Sequence, residues 1–399
     1  MADLNLRALA RGARRIDAAT PASRDRAVDA LRALAIAGVV FGHWLVTAIK
    51  DAGHGRLLGA SPLQHMPWLT PVSWLLQTLA VFFLVGGHVG AKSWAAASAA
   101  GTGYGQWLGK RLSRLFGPVV VVLVVWAVAA GCMLASGVAL QSVRTLLTLV
   151  LSPLWFLLVL TLITAVTPLV ARLHPLWPLA VVAVVDLVRF GFGGPAWLGW
   201  ANVAVGWLVP YCLGAAWGRG ALDQRRHGLG LFIGGAVATA ALVLWGGYPA
   251  SMVGVPGAPI SNLNPPTLAA VTFGSAQCGL ALLVREPLRR AMRRPVLWAA
   301  VALVNLSAMT VFLWHQTAML AVTITGVPFG PLHGLHTAPD SPGWVLARIC
   351  WLPVFAAALA VCWGAFHTLD RGHPAERHSR AVDERYRRTS PRTVASEPV

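Results

Sequence analysis

Residues 24–46 read RDRAVDALRALAIAGVVFGHWLV, an apolar run with an acid, a base and a histidine set into it. The apolar stretch, taken over 28–49, is close to the ~20 residues a helix needs to cross a bilayer. A charged side chain near the middle of such a span costs at least ~2.5–3.5 kcal/mol, so Asp29, Arg32 and His43 require a reason. Arg32 and His43 are about three helical turns apart, within roughly 20° of one another around the axis and ~16 Å apart along it. Asp29, one turn before Arg32, falls on the same face and within pairing reach of it. A polar stripe therefore runs along the first span. Gly38 and Gly42 form a small-xxx-small pair that predicts close approach of another helix. The long polar region before this segment, and the lack of a small-x-small cleavage site after it, make it a retained span rather than a leader.

The rest of the chain repeats the apolar pattern. The 399 residues are 56% hydrophobic and 12% charged, where a soluble domain carries roughly 25% charged residues. Mean hydropathy is +0.64. Apolar runs fall at 28–49, 70–91, 117–137, 152–171, 175–190, 199–218, 229–248, 266–286, 298–325 and 343–366. The expected fold is an all-α, polytopic transmembrane helix bundle of about ten spans. With residues 1–27 inside, 26 of the 32 Lys and Arg lie in inner segments, the bias of cytoplasmic loops. Both termini are then cytoplasmic. The chain divides into a basic tail (1–27), a membrane domain (28–366) and a second basic tail (367–399) without apolar periodicity, expected to be disordered or membrane-apposed.

The net charge of +18 is placed as membrane-protein loops require and implies no nucleic-acid partner. The five cysteines lie in or beside apolar stretches without CxxC spacing, so neither disulfides nor a metal centre is expected. His333 and His336, at i and i+3 with no third ligand, do not make a metal site.

Other polar residues fall within or beside the spans. VFFLVGGHVGAK (81–92) carries paired glycines and His88; GKRLSRLFGP (109–118) places Lys110, Arg111 and Arg114 before the third span. Asp186 and Arg189 can pair as a structural lock. NLSAMTVFLWHQ (305–316) sets Asn305, Trp314, His315 and Gln316 in apolar surroundings. His315 is open to either a packing or a catalysis-related role. In the outer segments, Asn262, Asn264, His333 and His336 could meet a polar acceptor.

Together these segments resemble the acyltransferase-3 family of integral membrane acyltransferases. The family's first span carries an Arg and a His separated by ten residues, matched by Arg32 and His43. VFFLVGG resembles its Phe-Phe segment, KRLSRLFGP its Arg-x-x-Arg element (Arg111, Arg114), PLWFLLVLT its Trp-Phe-Leu element (Trp155), and FLWHQ its histidine-bearing ninth span. Val85-Gly86-Gly87 stands where many members have Ser-Gly-Phe, and a carboxylate that often follows the Trp-Phe-Leu element is absent.

The resemblance implies an enzyme of the cytoplasmic membrane that moves an acyl group, often acetyl, from acyl-CoA to a hydroxyl. The acceptor would be a carbohydrate, a lipid-linked glycan or another envelope component, as in O-acetylation. On that reading Arg111, Arg114 and Lys110 bind the donor's phosphates, His43 is the catalytic base with Arg32 as the second catalytic candidate, and Asp29, His315, Asn305 and Trp155 support the site. Asp29, about 20 Å from the imidazole, is too far to orient it, so any such partner comes from another span. An acyl-histidine intermediate is the competing mechanism. Rival readings are a secondary transporter of a polar solute, a non-catalytic scaffold, and acylation of a small lipophilic metabolite such as a macrolide.

Overall fold

The computed structural model describes residues 2–51 and 56–370. Arg371 to Arg392, which carry the expected basic C-terminal tail, lie outside the described residues. An amphipathic helix α1 (Ala2–Ala18) precedes α2 (Arg26–Val46). The Asp25 carboxylate caps α2 by accepting from the backbone N–H groups of Ala27 and Val28, which satisfies two of its orphan donors. An antiparallel hairpin follows, β1 (Ala48–Asp51) with β2 (Leu57–Ala60).

The remaining main elements are α3 (Leu79–Ala99), α4 (Tyr104–Ala135), α5 (Leu140–Leu151), α6 (Leu154–Ala165), α7 (Leu176–Asp186), α8 (Asn202–Gly218) and α9 (Arg225–Leu244). After them come α10 (Leu268–Leu283), α11 (Arg285–Ala291), α12 (Pro295–Leu306), α13 (Ala308–Gly326) and α14 (Pro342–Phe366). Among the described residues eight helices are long and apolar enough to cross a membrane, or nine if α10 and α11, bent by 47°, make one span. The chain is a multi-pass membrane protein.

Several expected boundaries differ, three of them at breaks in the helices. The second span begins at Leu79 rather than 70, because 70–78 is a short helix and a turn. Its backbone is not left bare: the Gln277 amide donates to the carbonyls of Trp74 and Gln77, and Thr78 Oγ1 donates to Ala35 O at 2.8 Å. Irregular backbone at membrane depth is tolerated where protein supplies such partners. The expected span at 175–190 is the 11-residue α7 with a five-residue π turn, too short for a ~30 Å hydrocarbon core. The ninth span is broken at Ser307 into α12 and α13; the Ser307 hydroxyl accepts from the Trp363 indole at 2.6 Å.

The basic segments meet at one end of the bundle. Arg285 pairs with Asp223 at 2.9 Å and Asp25 at 3.6 Å, and Arg24, Arg32 and Lys92 line one cavity. The hairpin and the 249–264 and 326–342 loops lie at the other end, where Gln64 donates to Pro256 O at 2.8 Å and the leucine N–H of Leu57 donates to Ser142 Oγ at 3.1 Å. The core joins α3 to α8 through glycines: a Cβ on Gly87 would collide with the Tyr211 carbonyl, and one on Gly214 with the Leu84 carbonyl. Gly38 and Gly42 face Thr78 and Leu76 of the irregular segment, not a helix as their spacing predicted.

Candidate active site

The inner end of α2 holds the first part of the stripe. The buried Asp29 carboxylate accepts from Arg24 Nε at 2.6 Å and Arg32 Nη1 at 3.4 Å. Arg24 is thus a third member of the expected entrance pair. Asn305, in the last turn of α12 at the helix break, donates to Asp29 O at 2.9 Å and faces Arg32 Nη1 at 3.4 Å through its carbonyl. The break in the ninth span is what brings Asn305 to this position.

Arg32 also borders a cavity of about 530 Å³ together with Lys110, Arg111 and Arg114. The four cationic candidates therefore share one space, and no carboxylate lines it. Helix α4 begins thirteen residues before the expected span, so the basic cluster rides on its first turns rather than in a loop. The Arg111 guanidinium lies 5.0 Å from the Trp107 ring centroid, which orients it. A neighbouring cavity adds Arg24, Lys92 and His88 to Arg32. His88 packs against Trp217 with ring centroids 4.1 Å apart and the planes tilted by 41°.

His43 lies towards the other end. It lines a cavity of about 170 Å³ with Ser73, Gln77, Trp155, Phe156, Phe312 and Val253 among its neighbours. Trp155 thus lines the same cavity as His43. The His43 Nδ1 is 3.0 Å from Gln316 Nε2 on α13, leaving Nε2 for the cavity. The His315 ring lies behind, 5.1 Å from the His43 ring. His315 is fully buried, and its Nδ1 is 2.7 Å from Phe312 O. A carbonyl only accepts, so Nδ1 carries the proton and Nε2 is a bare lone pair; that Nε2 has no partner. His315 does not line the cavity.

The Gln316 amide offers His43 two tautomers. With its NH₂ against Nδ1, the imidazole proton sits on Nε2. With its carbonyl there, Nδ1–H is the donor and the Nε2 lone pair faces the cavity. The second arrangement requires the amide to be turned over, which gives the buried Gln316 Oε1 a partner and takes one from its Nε2.

An aromatic layer separates the two cavities. Phe82 lines the inner one; Phe156 and Phe312 line the outer one. Phe82 and Phe156 have ring centroids 4.9 Å apart, and Phe156 and Phe312 5.4 Å. On α13, Met309 faces the inner cavity and Phe312 the outer; on α3, Phe82 and Leu79 do the same. Three residues is ~4.5 Å of helix, so the layer is about one turn thick.

Two residues that the sequence did not mark as site members hold this arrangement. Gln316 is one; nothing in the residue's type separates it from a packing glutamine. Arg348 on α14 is the other. Fully buried, it donates from Nε to Trp44 O at 2.6 Å, from Nη2 to Thr47 O at 2.8 Å and from Nη1 to Gly334 O at 3.0 Å. It thereby caps the end of α2 that carries His43, where a cation meets the negative end of the helix dipole. Trp44 is tied a second time, its indole donating to His315 O at 2.9 Å.

Other candidates stay structural. Asp186 accepts from Leu268 N at 2.7 Å, Tyr248 OH at 3.1 Å and Asn202 Nδ2 at 3.1 Å and pairs with Arg189 at 3.5 Å. Burial, then the Asp186 charge, push the Tyr248 phenol above its usual range, so it remains a donor. His336 Nε2 meets Thr323 O at 2.7 Å and His333 Nδ1 meets Thr337 Oγ1 at 3.2 Å, both closing the outer loop. Asn262 is fully buried, donating to Pro249 O at 2.5 Å and accepting from Thr267 Oγ1 at 2.6 Å. These two histidines and Asn262 close loops and do not line the His43 cavity.

A family model, described as an acyltransferase domain and belonging to the acyltransferase-3 family, matches residues 25–367. No curated protein and no solved structure matches the chain significantly.

Proposed function

The chain belongs to the acyltransferase-3 family of membrane acyltransferases, and on that premise we propose that it carries an acyl group from acyl-CoA at the basic cavity to a hydroxyl acceptor at His43. The basic end faces the cytoplasm of a cytoplasmic membrane, in keeping with the positive-inside bias. Arg32, Lys110, Arg111 and Arg114 hold the donor's phosphates through charge-assisted bonds. The pantetheine arm passes the phenylalanine layer and presents the thioester beside His43. The donor thus crosses ~16 Å from Arg32 to His43.

His43 Nε2 takes the proton of the acceptor hydroxyl while the oxygen attacks the thioester carbonyl. The C–O bond forms, the C–S bond breaks, and the departing CoA thiolate recovers the proton from His43. Gln316, with its amide turned so that the carbonyl accepts from Nδ1–H, holds the tautomer in which Nε2 is the base. The acceptors favoured are envelope carbohydrates and lipid-linked glycans, with the outer cavity open to them. The single observation that supports the reading most is that a four-cation cavity and the His43 cavity end on opposite faces of one aromatic layer.

The test incubates membranes with radiolabelled acetyl-CoA and follows label into lipid and glycan fractions. His43→Ala is expected to lower transfer by ~10²–10⁴-fold, the range for general base catalysis. Transfer undiminished in that variant sinks the proposal. Solute uptake without acyl-CoA-dependent labelling supports the transporter instead.

A further inference from the structure

A second large space opens beside the His43 cavity, on the lipid-facing flank of the bundle. It has a volume of about 640 Å³ between α2, the 71–78 segment, α9 and α10, and no charged residue lines it. Leu34, Leu75, Leu244 and Leu280 expose large apolar surfaces there, Leu75 as much as 77%. The polar groups on its walls are engaged within the protein. Thr78 donates to Ala35 O, Trp74 Nε1 to Ala250 O at 3.0 Å, Thr239 to Gly235 O at 2.7 Å, and the Gln277 NH₂ to two carbonyls. Such a wall offers a hydrogen-bonding solute nothing and suits hydrocarbon.

The cleft is also rigid. Gly235 of α9 and Gly279 of α10 lie against the partner helix's backbone, so its walls are locked together. Along α9 the lining runs from Phe232 to Leu244, ~18 Å of helix and more than half of the ~30 Å hydrocarbon core.

Its position relative to the chemistry is specific. One strip of chain, 73–78, separates the groove from the His43 cavity: Ser73, Leu76 and Gln77 face His43, while Trp74, Leu75 and Thr78 face the groove. The 250–254 loop spans both mouths. It holds Trp74 through Ala250 O and Gln77 through Met252 O at 3.0 Å, and its Val253 and Gly254 line the His43 cavity.

Resting on the acyl-transfer reading above, we propose that this groove seats the hydrocarbon chain of a lipid-borne acceptor, whose hydroxylated head group bends over residues 73–77 into the His43 cavity. Acyl transfer then occurs to a lipid held in place by its chain, and a water-soluble acceptor lacks that anchor.

The experiment reconstitutes the full chain in phosphatidylcholine nanodiscs with an octadecyl glucoside bearing a diazirine in its chain. Photolysis is expected to label 232–244 and 273–284 saturably, and unlabelled octadecyl glucoside is expected to compete. Ala240→Trp, which fills the groove, cuts labelling at least fivefold; Val237→Trp, on the same helix outside the groove, does not. Labelling that rises linearly with probe and is indifferent to Ala240→Trp means bulk lipid only and overturns the proposal. With labelled acetyl-CoA, Ala240→Trp raises KM for octadecyl glucoside at least tenfold and leaves methyl glucoside unchanged. Equal acylation of both glycosides by parent and variant also overturns it, with acyl transfer intact. Saturable labelling with no acylation of either glycoside, and His43→Ala identical to the parent, marks failure of acyl transfer instead and overturns the acceptor assignment with it.

Discussion

Two arginines are set into the bundle near opposite ends of α2, and their surroundings differ. Arg348 is buried with three donor atoms on backbone carbonyls, and its guanidinium lies over Trp344 and Phe355 at 5.6 and 4.7 Å from the ring centroids. No carboxylate pairs with it among the described residues. Arg32 reaches Asp29 and Asn305 only at 3.4 Å, from one nitrogen, and borders two cavities, one lined by three further cations and no carboxylate, the other shared with Arg24, Lys92, Asp25 and Asp29. A guanidinium has five N–H donors. Arg348 uses all three of its nitrogens, on the α2 end, Gly334 O and Met319 Sδ, whereas the contacts of Arg32 both run from Nη1. Burial of an arginine in a membrane therefore does not by itself mark a site; unengaged donors facing a cavity do.

The contrast can be broken by mutation. Arg348→Met removes three charged hydrogen bonds, each worth ~1.5–3 kcal/mol when made to an ionised group, so a stability loss of about 3 kcal/mol or more is expected. Thermal unfolding in detergent measures it, and Arg348→Lys restores only part because a lysine lacks the planar fork. A Met variant as stable as the parent removes the structural half of the comparison. Arg32→Ala should instead leave unfolding nearly unchanged and raise KM for acyl-CoA by about tenfold or more, ~1.4 kcal/mol of lost phosphate binding. A large stability loss there would make the two arginines alike.

Smaller effects sharpen the picture around His43. Gln316→Ala is expected to lower kcat by about tenfold, ~1.4 kcal/mol, with KM for acyl-CoA unchanged. Gln316→Glu supplies a carboxylate that favours the imidazolium, so the rising limb of the pH–rate profile moves to higher pH. An unmoved profile in the Glu variant argues that Gln316 does not govern the protonation of His43. His333→Ala, on the exposed outer loop, should change stability by less than ~0.5 kcal/mol and leave transfer rates as they are.

The stripe on α2 was legible because helical spacing alone puts Asp29, Arg32 and His43 on one face. The cations at 110, 111 and 114 were legible because Lys and Arg accumulate on one side of a membrane, although only packing reveals that Arg32 joins them. The start of the second span was not. TPVSWLLQT (70–78) is as apolar as a helix, and hydropathy cannot register that Gln277, 200 residues away, takes the carbonyl of Gln77. The break at Ser307 was hidden for the same reason, its stabilising partner Trp363 lying 56 residues on. Gln316 and Arg348 act through atoms brought together by folding: a side chain 273 residues from His43 and a guanidinium 304 residues from Trp44.

The glycine contact between α3 and α8 also bears on how the chain is made. Gly87 and Gly214 each lie against the other helix's backbone, and 127 positions separate them in sequence. At ~5–20 residues per second of synthesis, α3 spends ~6–25 s before α8 exists. During that interval its glycine face borders lipid or a translation-linked insertion factor. Substitutions at Gly87 that leave the finished bundle no room would act late, when α8 arrives, and not when α3 first inserts.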